Sequence, residues 1–158
     1  GRPGPNFRGL TRMHEHTANR TPPRADALFE VAIAWGEMDA LGHVNNIVYL
    51  QYFEEARVHW MTQLGSRLDS KSAGMILART TVDYKRPLTW PGSVELRQFA
   101  GPVGRSSFTL QGEISARESG ELACTGEFVL VWFDYAQQRS APLPEWLRAA
   151  LGQAGAAA

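Results

Sequence analysis

The stretch WGEMDALGHVNNIVYLQYFEEAR, residues 35–57, sets Asp39, Gly42, His43, Asn45 and Asn46 directly ahead of an apolar helical pattern. The first turn of a helix leaves backbone N–H groups without partners, and its positive dipole end favours negative charge. Such amides can hold a carbonyl oxygen as it gains charge. A carboxylate on a turn that brings it back over them can attack the carbonyl carbon or deprotonate water. Asp39 stands a few residues before the helix start, where it can do either. Ester or thioester hydrolysis needs this pairing. The residues also have plainer uses. Asn45 or Asn46 can serve as N-cap, and Gly42 can shape the turn. Capping accounts for one asparagine and the glycine. Asp39, His43 and the second asparagine are then either a solvated loop or chemistry. His43 can donate to a substrate, hold Asp39 or fill the loop. Asn45 and Asn46 divide between capping and substrate orientation.

Glu54 lies about two turns into the same helix, where an acidic side chain is costly unless paired or hydrated. It can pair with Arg57 at i+3 or cap a neighbouring subunit. Tyr49, one turn in, reaches either a substrate pocket or the sheet. Lys85, Arg86 and Arg105 fall at strand ends or turns, where cations can hold nucleotide phosphates. The histidines form no H-x-x-x-H pair and there is no cysteine cluster, so no metal site is expected. No G-x-S-x-G elbow, G-x-G-x-x-G or Walker pattern occurs, and no cofactor is expected.

These residues need elements to position them. Residues 27–35 read as a first strand, with Phe29, Val31, Ile33 and Trp35 sharing one face. The helix begins near Asn45 or Asn46 and ends near Leu64, with Gly65 as its stop. Ile47, Leu50, Phe53, Arg57, Met61 and Leu64 make one stripe; Tyr49, Tyr52, Ala56 and Trp60 make another. A helix apolar over so much of its girth is expected to be largely buried, over a length of roughly 28 Å. Four more strands follow, at residues 75–85, 93–101, 107–117 and 122–135. In the second strand Ile76, Ala78, Thr80, Val82 and Tyr84 alternate against Leu77, Arg79, Thr81 and Asp83. The strand at 107–117 alternates most strictly, and ESGE after it is a tight turn with Gly120 at its left-handed position. Residues 145–154 read as a short helix, with Pro144 in its first turn. The chain is thus expected to be α+β: a flexible arm at 1–26, a single domain at 27–150 and a tail at 151–158.

Lys plus Arg (16) balance Asp plus Glu (16) among the 158 residues, so no basic field for nucleic acid is evident. The single cysteine, Cys124, excludes an internal disulfide and fits a reducing, cytoplasmic setting. No apolar run reaches the length of a membrane span, and the opening residues lack the apolar core of a secretory signal.

The stretch MDALGHVNNIVYLQYFEEAR resembles the hotdog-fold thioesterases of the 4-hydroxybenzoyl-CoA thioesterase type. Those enzymes carry Asp–x–x–Gly ahead of the long helix, then an aromatic residue, a Glu and an Ala–Arg pair within it. These points fall on Asp39, Gly42, Tyr49, Glu54, Ala56 and Arg57. VDYKRPLTWPGSVEL is similar to the family's second strand, proline turn and third strand. The resemblance implies a long central helix wrapped by a five-stranded, largely antiparallel sheet. It implies dimers or tetramers with sites at the subunit interface, and hydrolysis of an acyl-CoA or acyl-carrier-protein thioester. It puts the catalytic acid on Asp39 and the carbonyl-polarising helix-start amide near Asn46. A related subtype takes its carboxylate from the helix, at Glu54. Two points differ. Glu37 stands where many relatives have Asp, and GHVNN resembles the acyl-carrier-protein thioesterase version of the segment, which leaves fatty acyl substrates open. A non-catalytic acyl-binding module on the same fold would keep the tunnel and lose the acid.

Overall fold

The computed structural model describes residues 27–64 and 71–152. The expected arm, the Gly65 stop and most of the tail lie outside these. The described elements are β1 (Ala27–Ala32), α1 (Asn46–Gln63), β2 (Ala73–Tyr84), β3 (Ser93–Val103), β4 (Ser107–Ala116), β5 (Leu122–Asp134), β6 (Arg139–Ser140) and α2 (Glu145–Ala150). The strands form one antiparallel sheet in the order β1-β3-β4-β5-β2, with the two-residue β6 added to β5. Helix α1 packs against one face of the sheet. This is the expected hotdog fold.

The period-two pattern of β4 explains its central place. Phe108, Leu110, Gly112 and Ile114 are buried on the helix side, while Thr109, Gln111 and Glu113 alternate outward. Complete burial of a large apolar side chain such as Leu110 or Phe108 contributes about 1.5–3 kcal/mol. Gly112 and Gly126 are cross-strand neighbours on β4 and β5, and together they make a dimple for the Phe53 ring. A Cβ on Gly112 would lie 2.5 Å from that ring, and one on Gly126 would lie 2.6 Å from Phe128. The pair therefore sets how closely α1 approaches the sheet. At the far end, Leu143, Leu147 and Leu151 bury against the core. Arg148 ties α2 down by donating to the carbonyls of Gly104 (2.9 Å) and Arg105 (3.0 Å).

Several local expectations change. Strand β1 stops at Ala32, because the Glu37 carboxylate takes the Ala34 N–H and a 3-10 turn covers Trp35–Glu37. Trp35 is 73% exposed and does not share the buried face of Phe29 and Ile33. In β2 the register shifts between Leu77 and Arg79, so Ala78 is bulged. Leu77 then faces the same way as Thr80, Val82 and Tyr84, and Ile76 faces the way of Arg79, Thr81 and Asp83. The helix is not buried all round: Val48, Tyr49, Tyr52, Phe53, Ala56, Arg57 and Trp60 are covered, while Ile47, Leu50 and Val58 face outward. Pro144 is the N-cap of α2, in extended backbone, and this helix ends at Ala150. Gly120 does take positive φ in its turn.

Candidate active site

The segment between the 3-10 turn and α1 folds into a small closed hairpin. Met38 bridges Val44, the Asp39 N–H donates to the His43 carbonyl (2.8 Å), and the Asn45 N–H donates to the Glu37 carbonyl (2.9 Å). Gly42, at φ 79°, makes the turn that an L side chain would strain. The hairpin is fastened to the β2–β3 connection, where the Leu88 carbonyl accepts the Val44 N–H at 2.8 Å.

Asp39 uses one carboxylate oxygen for its own loop. Oδ1 accepts the Leu41 N–H at 2.8 Å and, at 3.4 Å, the His43 N–H. This Asx turn orients the side chain. Oδ2 has no partner among the described residues. Asn45 is the N-cap, its Oδ1 accepting the Ile47 N–H at 3.2 Å. That leaves the Asn46 N–H as a helix-start donor with no acceptor among the described residues. Of the two asparagines open to capping, Asn45 takes that place and Asn46 begins the helix.

Asp39, His43 and Val44 of the hairpin, Asn46 and Tyr49 of α1, and Tyr84, Lys85, Arg86 and Pro87 at the end of β2 line one cleft of about 320 Å³. Tyr49 is a buried member of this lining. Its hydroxyl donates to the Arg86 carbonyl (3.4 Å) and accepts the Leu88 N–H (3.1 Å). Burial pushes its phenol pKa upward. Tyr84 packs edge-on to Tyr49 with ring centres 5.2 Å apart, and its hydroxyl donates to the Asn46 carbonyl at 2.9 Å. The backbone N–H groups of Lys85 and Arg86 both reach the Ala123 carbonyl. This fixes the main chain that carries the two cations beside the cleft. Arg86 meets Glu121 at 3.6 Å with both side chains largely exposed, a contact of little strength.

Other expected site residues lie elsewhere. Arg105 sits in the β3–β4 turn beside α2 and does not line the cleft. Glu54 is exposed on α1, outside the cleft lining. It makes no ion pair with Arg57 among the described residues. Arg57 is buried, with its guanidinium 5.4 Å over the Phe128 ring. Burial lowers its pKa, and the Glu54 charge opposes that shift. Cys124 is buried and its thiol is pushed up to about 12, first by burial and then by the charge of Asp83. A thiol held protonated in this way is a packing group rather than a nucleophile.

Val44, Tyr84 and Pro87 also line the cleft, although their residue types do not by themselves point to chemistry. Alternation puts Tyr84 on a strand face; the available signal is an aromatic residue at the strand's end, directly before Lys-Arg-Pro.

A hotdog domain with a helix-start cleft and an upstream carboxylate defines the class. Residues 33–151 match the family model of the thioesterase-like superfamily, and the chain belongs to that superfamily. The family and fold assign it hydrolysis of acyl thioesters as a general activity. Among solved structures, the PA2801 protein of Pseudomonas aeruginosa is 36% identical, with a TM-score of 0.74 over 78% of this chain and 96% of its own. The gentisyl-coenzyme A thioesterase BH1999 is 25% identical, with a TM-score of 0.70 over 79% of this chain and 99% of its own. The protein YsmA of Bacillus subtilis is 29% identical over 65% of this chain and 69% of its own length. No described helix is long and apolar enough to cross a membrane.

Proposed function

We propose that the protein hydrolyses an acyl-CoA thioester to the free acid and CoA, with Asp39 as the carboxylate and the Asn46 N–H as the donor to the carbonyl oxygen. The observation that carries this reading is the meeting of the two in one cleft. Asp39 has one oxygen committed to its loop and Oδ2 without a protein partner. The Asn46 amide lies at the positive end of an 18-residue helix. As the thioester carbonyl becomes tetrahedral, its oxygen gains the charge that this amide is placed to stabilise. Asp39 either attacks the carbonyl carbon, expelling the CoA thiolate and leaving an acyl–aspartyl anhydride for water to open, or takes a proton from the attacking water. Gly42 and Asn45 shape the hairpin and cap, and His43 borders the cleft as a donor to substrate. Tyr49 and Tyr84 offer a ring wall to the acyl group. Lys85 and Arg86 suit nucleotide phosphates, which favours CoA over a carrier protein, whereas the GHVNN resemblance favours the carrier. No metal or cofactor enters the scheme.

A second copy completes the assembly. Among the described residues strand β2 pairs only with β5, which leaves its other edge without a partner there, and Ile76 and Leu77 on it are exposed. Ile47, Leu50 and Val58 of α1 are exposed as well. An open apolar edge of this kind invites pairing. The buried thiol and absence of a second cysteine suit a reducing cytoplasm.

The test is turnover of a panel of aromatic and fatty acyl-CoA and acyl-carrier-protein thioesters, read by trapping the released thiol. Release from at least one substrate, without added metal, is expected. Binding without release from any substrate would sink the hydrolase reading and favour the acyl-binding module.

A further inference from the structure

The hairpin that carries Asp39 is anchored by a contact outside the cleft. Glu37 Oε2 accepts the Tyr52 hydroxyl at 2.6 Å and the Ala34 N–H at 2.8 Å. Tyr52 belongs to the buried face of α1, so its hydroxyl is a fixed point of the core. The carbonyl of the same Glu37 accepts the Asn45 N–H. One residue thus closes the base of the hairpin with its main chain and ties that base to the helix with its side chain. Above it come the Met38–Val44 bridge and then the Asp39–His43 bond. Each layer transmits the position of the one below to Asp39. Glu37 and Tyr52 themselves do not line the cleft.

We propose that Glu37 and Tyr52 are positioning residues: their hydrogen bond sets the height and angle of the Asp39 hairpin over the start of α1. This rests on the thioesterase reading of the cleft. A phenol donating to a carboxylate is among the stronger hydrogen bonds, and a glutamate has the length to span from hairpin base to helix. Its loss leaves the hairpin fastened to the rest of the molecule through the Val44–Leu88 main-chain bond and the Trp90 N–H donated to Met38 Sδ (3.3 Å). Displacement of a reacting group by about 1 Å can cost about 10²-fold in rate, so partial slackening should cost about tenfold.

The experiment compares Tyr52→Phe, Glu37→Leu, Glu37→Gln and the Tyr52→Phe/Glu37→Leu double variant. It measures kcat and KM on the best thioester, and amide hydrogen exchange at Asp39 and Asn45. Tyr52→Phe and Glu37→Leu should each lower kcat about tenfold with KM within about twofold, and speed exchange at both amides. The double variant should be no slower than the slower single, because Glu37→Leu already breaks the one bond that Tyr52→Phe removes, together with that from the Ala34 N–H. Glu37→Gln keeps an oxygen that accepts from Tyr52 and Ala34, and should restore kcat to within about threefold of wild type. Wild-type kcat in Tyr52→Phe overturns the proposal. So does a Glu37→Gln loss as large as that of Glu37→Leu, which would make the charge itself the requirement. If Glu37→Leu does not fold, the near-isosteric Tyr52→Phe decides. If the wild type turns over no thioester, the hydrolase reading fails and exchange alone judges the clamp: faster exchange in Tyr52→Phe upholds it and unchanged exchange overturns it.

Discussion

The Tyr84 hydroxyl donates a 2.9 Å hydrogen bond to the Asn46 carbonyl, joining the end of edge strand β2 to the first residue of α1. The two residues are 38 apart in sequence and share one cleft. The bond holds the peptide next to the amide that would polarise a substrate carbonyl. Tyr84→Phe keeps the ring against Tyr49 and removes only this bond. Stability should fall by about 1 kcal/mol, read as the urea midpoint, and kcat should drop several-fold. An unchanged kcat would show that the Asn46 peptide is held without Tyr84.

Asp39→Asn preserves shape and removes the charge. A kcat loss of about 10²–10⁴ with the fold intact is expected, the usual scale for acid–base catalysis. Glu54→Gln is the control, because Glu54 is the rival carboxylate on the exposed side of α1. Wild-type kcat in Asp39→Asn together with an inactive Glu54→Gln would reverse the roles.

Gly112→Ala puts a methyl group where the Phe53 ring already lies, 2.5 Å from the new carbon. Overpacking of this kind costs about 1–3 kcal/mol, measurable by urea denaturation. Pairing it with Phe53→Leu, which frees the dimple, should recover part of that loss relative to Phe53→Leu alone. Purely additive losses would mean that the ring does not seat there.

Light scattering at micromolar concentration should give a dimer or tetramer. Leu77→Lys, on the open edge strand, should shift the mass toward a monomer. A wild-type monomer would contradict assembly through this edge.

Cys124 should resist thiol reagents in the native state and react once the chain is unfolded in denaturant, so it will not add to thiol-trapping signals from CoA. Its folded pKa, about 12, lies above the ordinary value of 9.0. The unfolded chain therefore ionises first as pH rises. The stabilising contribution is whole below pH 9 and is lost between there and about 12. Cys124→Ser should flatten the alkaline fall in stability over that window. Rapid labelling of the native protein would show that the strand opens readily.

The amino-acid sequence by itself determined the local elements and the residue types that the hairpin brings to the helix start. Period-two alternation from Phe108 to Ile114 marks a strand with one wet face, and the three-and-four spacing from Ile47 to Leu64 marks a helix, because both signals repeat within a few residues. Gly42 as a turn residue and an asparagine N-cap were legible for the same reason, since both act over a few neighbours; that the cap is Asn45, and that Asp39 closes an Asx turn, came from the folded hairpin. Tertiary structure decided what depends on distant partners. Alternation carried Ile76 and Tyr84 onto one face, and the Ala78 bulge, formed only against β5, turned them apart. Glu54 and Arg57 have the spacing of an ion pair. The core instead draws the Arg57 guanidinium over Phe128, a ring that comes close only when β5 packs under α1. Glu37 read as an acid in a polar run. Its bond to Tyr52 appears only once the 3-10 turn and the helix are folded together, and Tyr84 enters the cleft only because β2 ends beside Asn46.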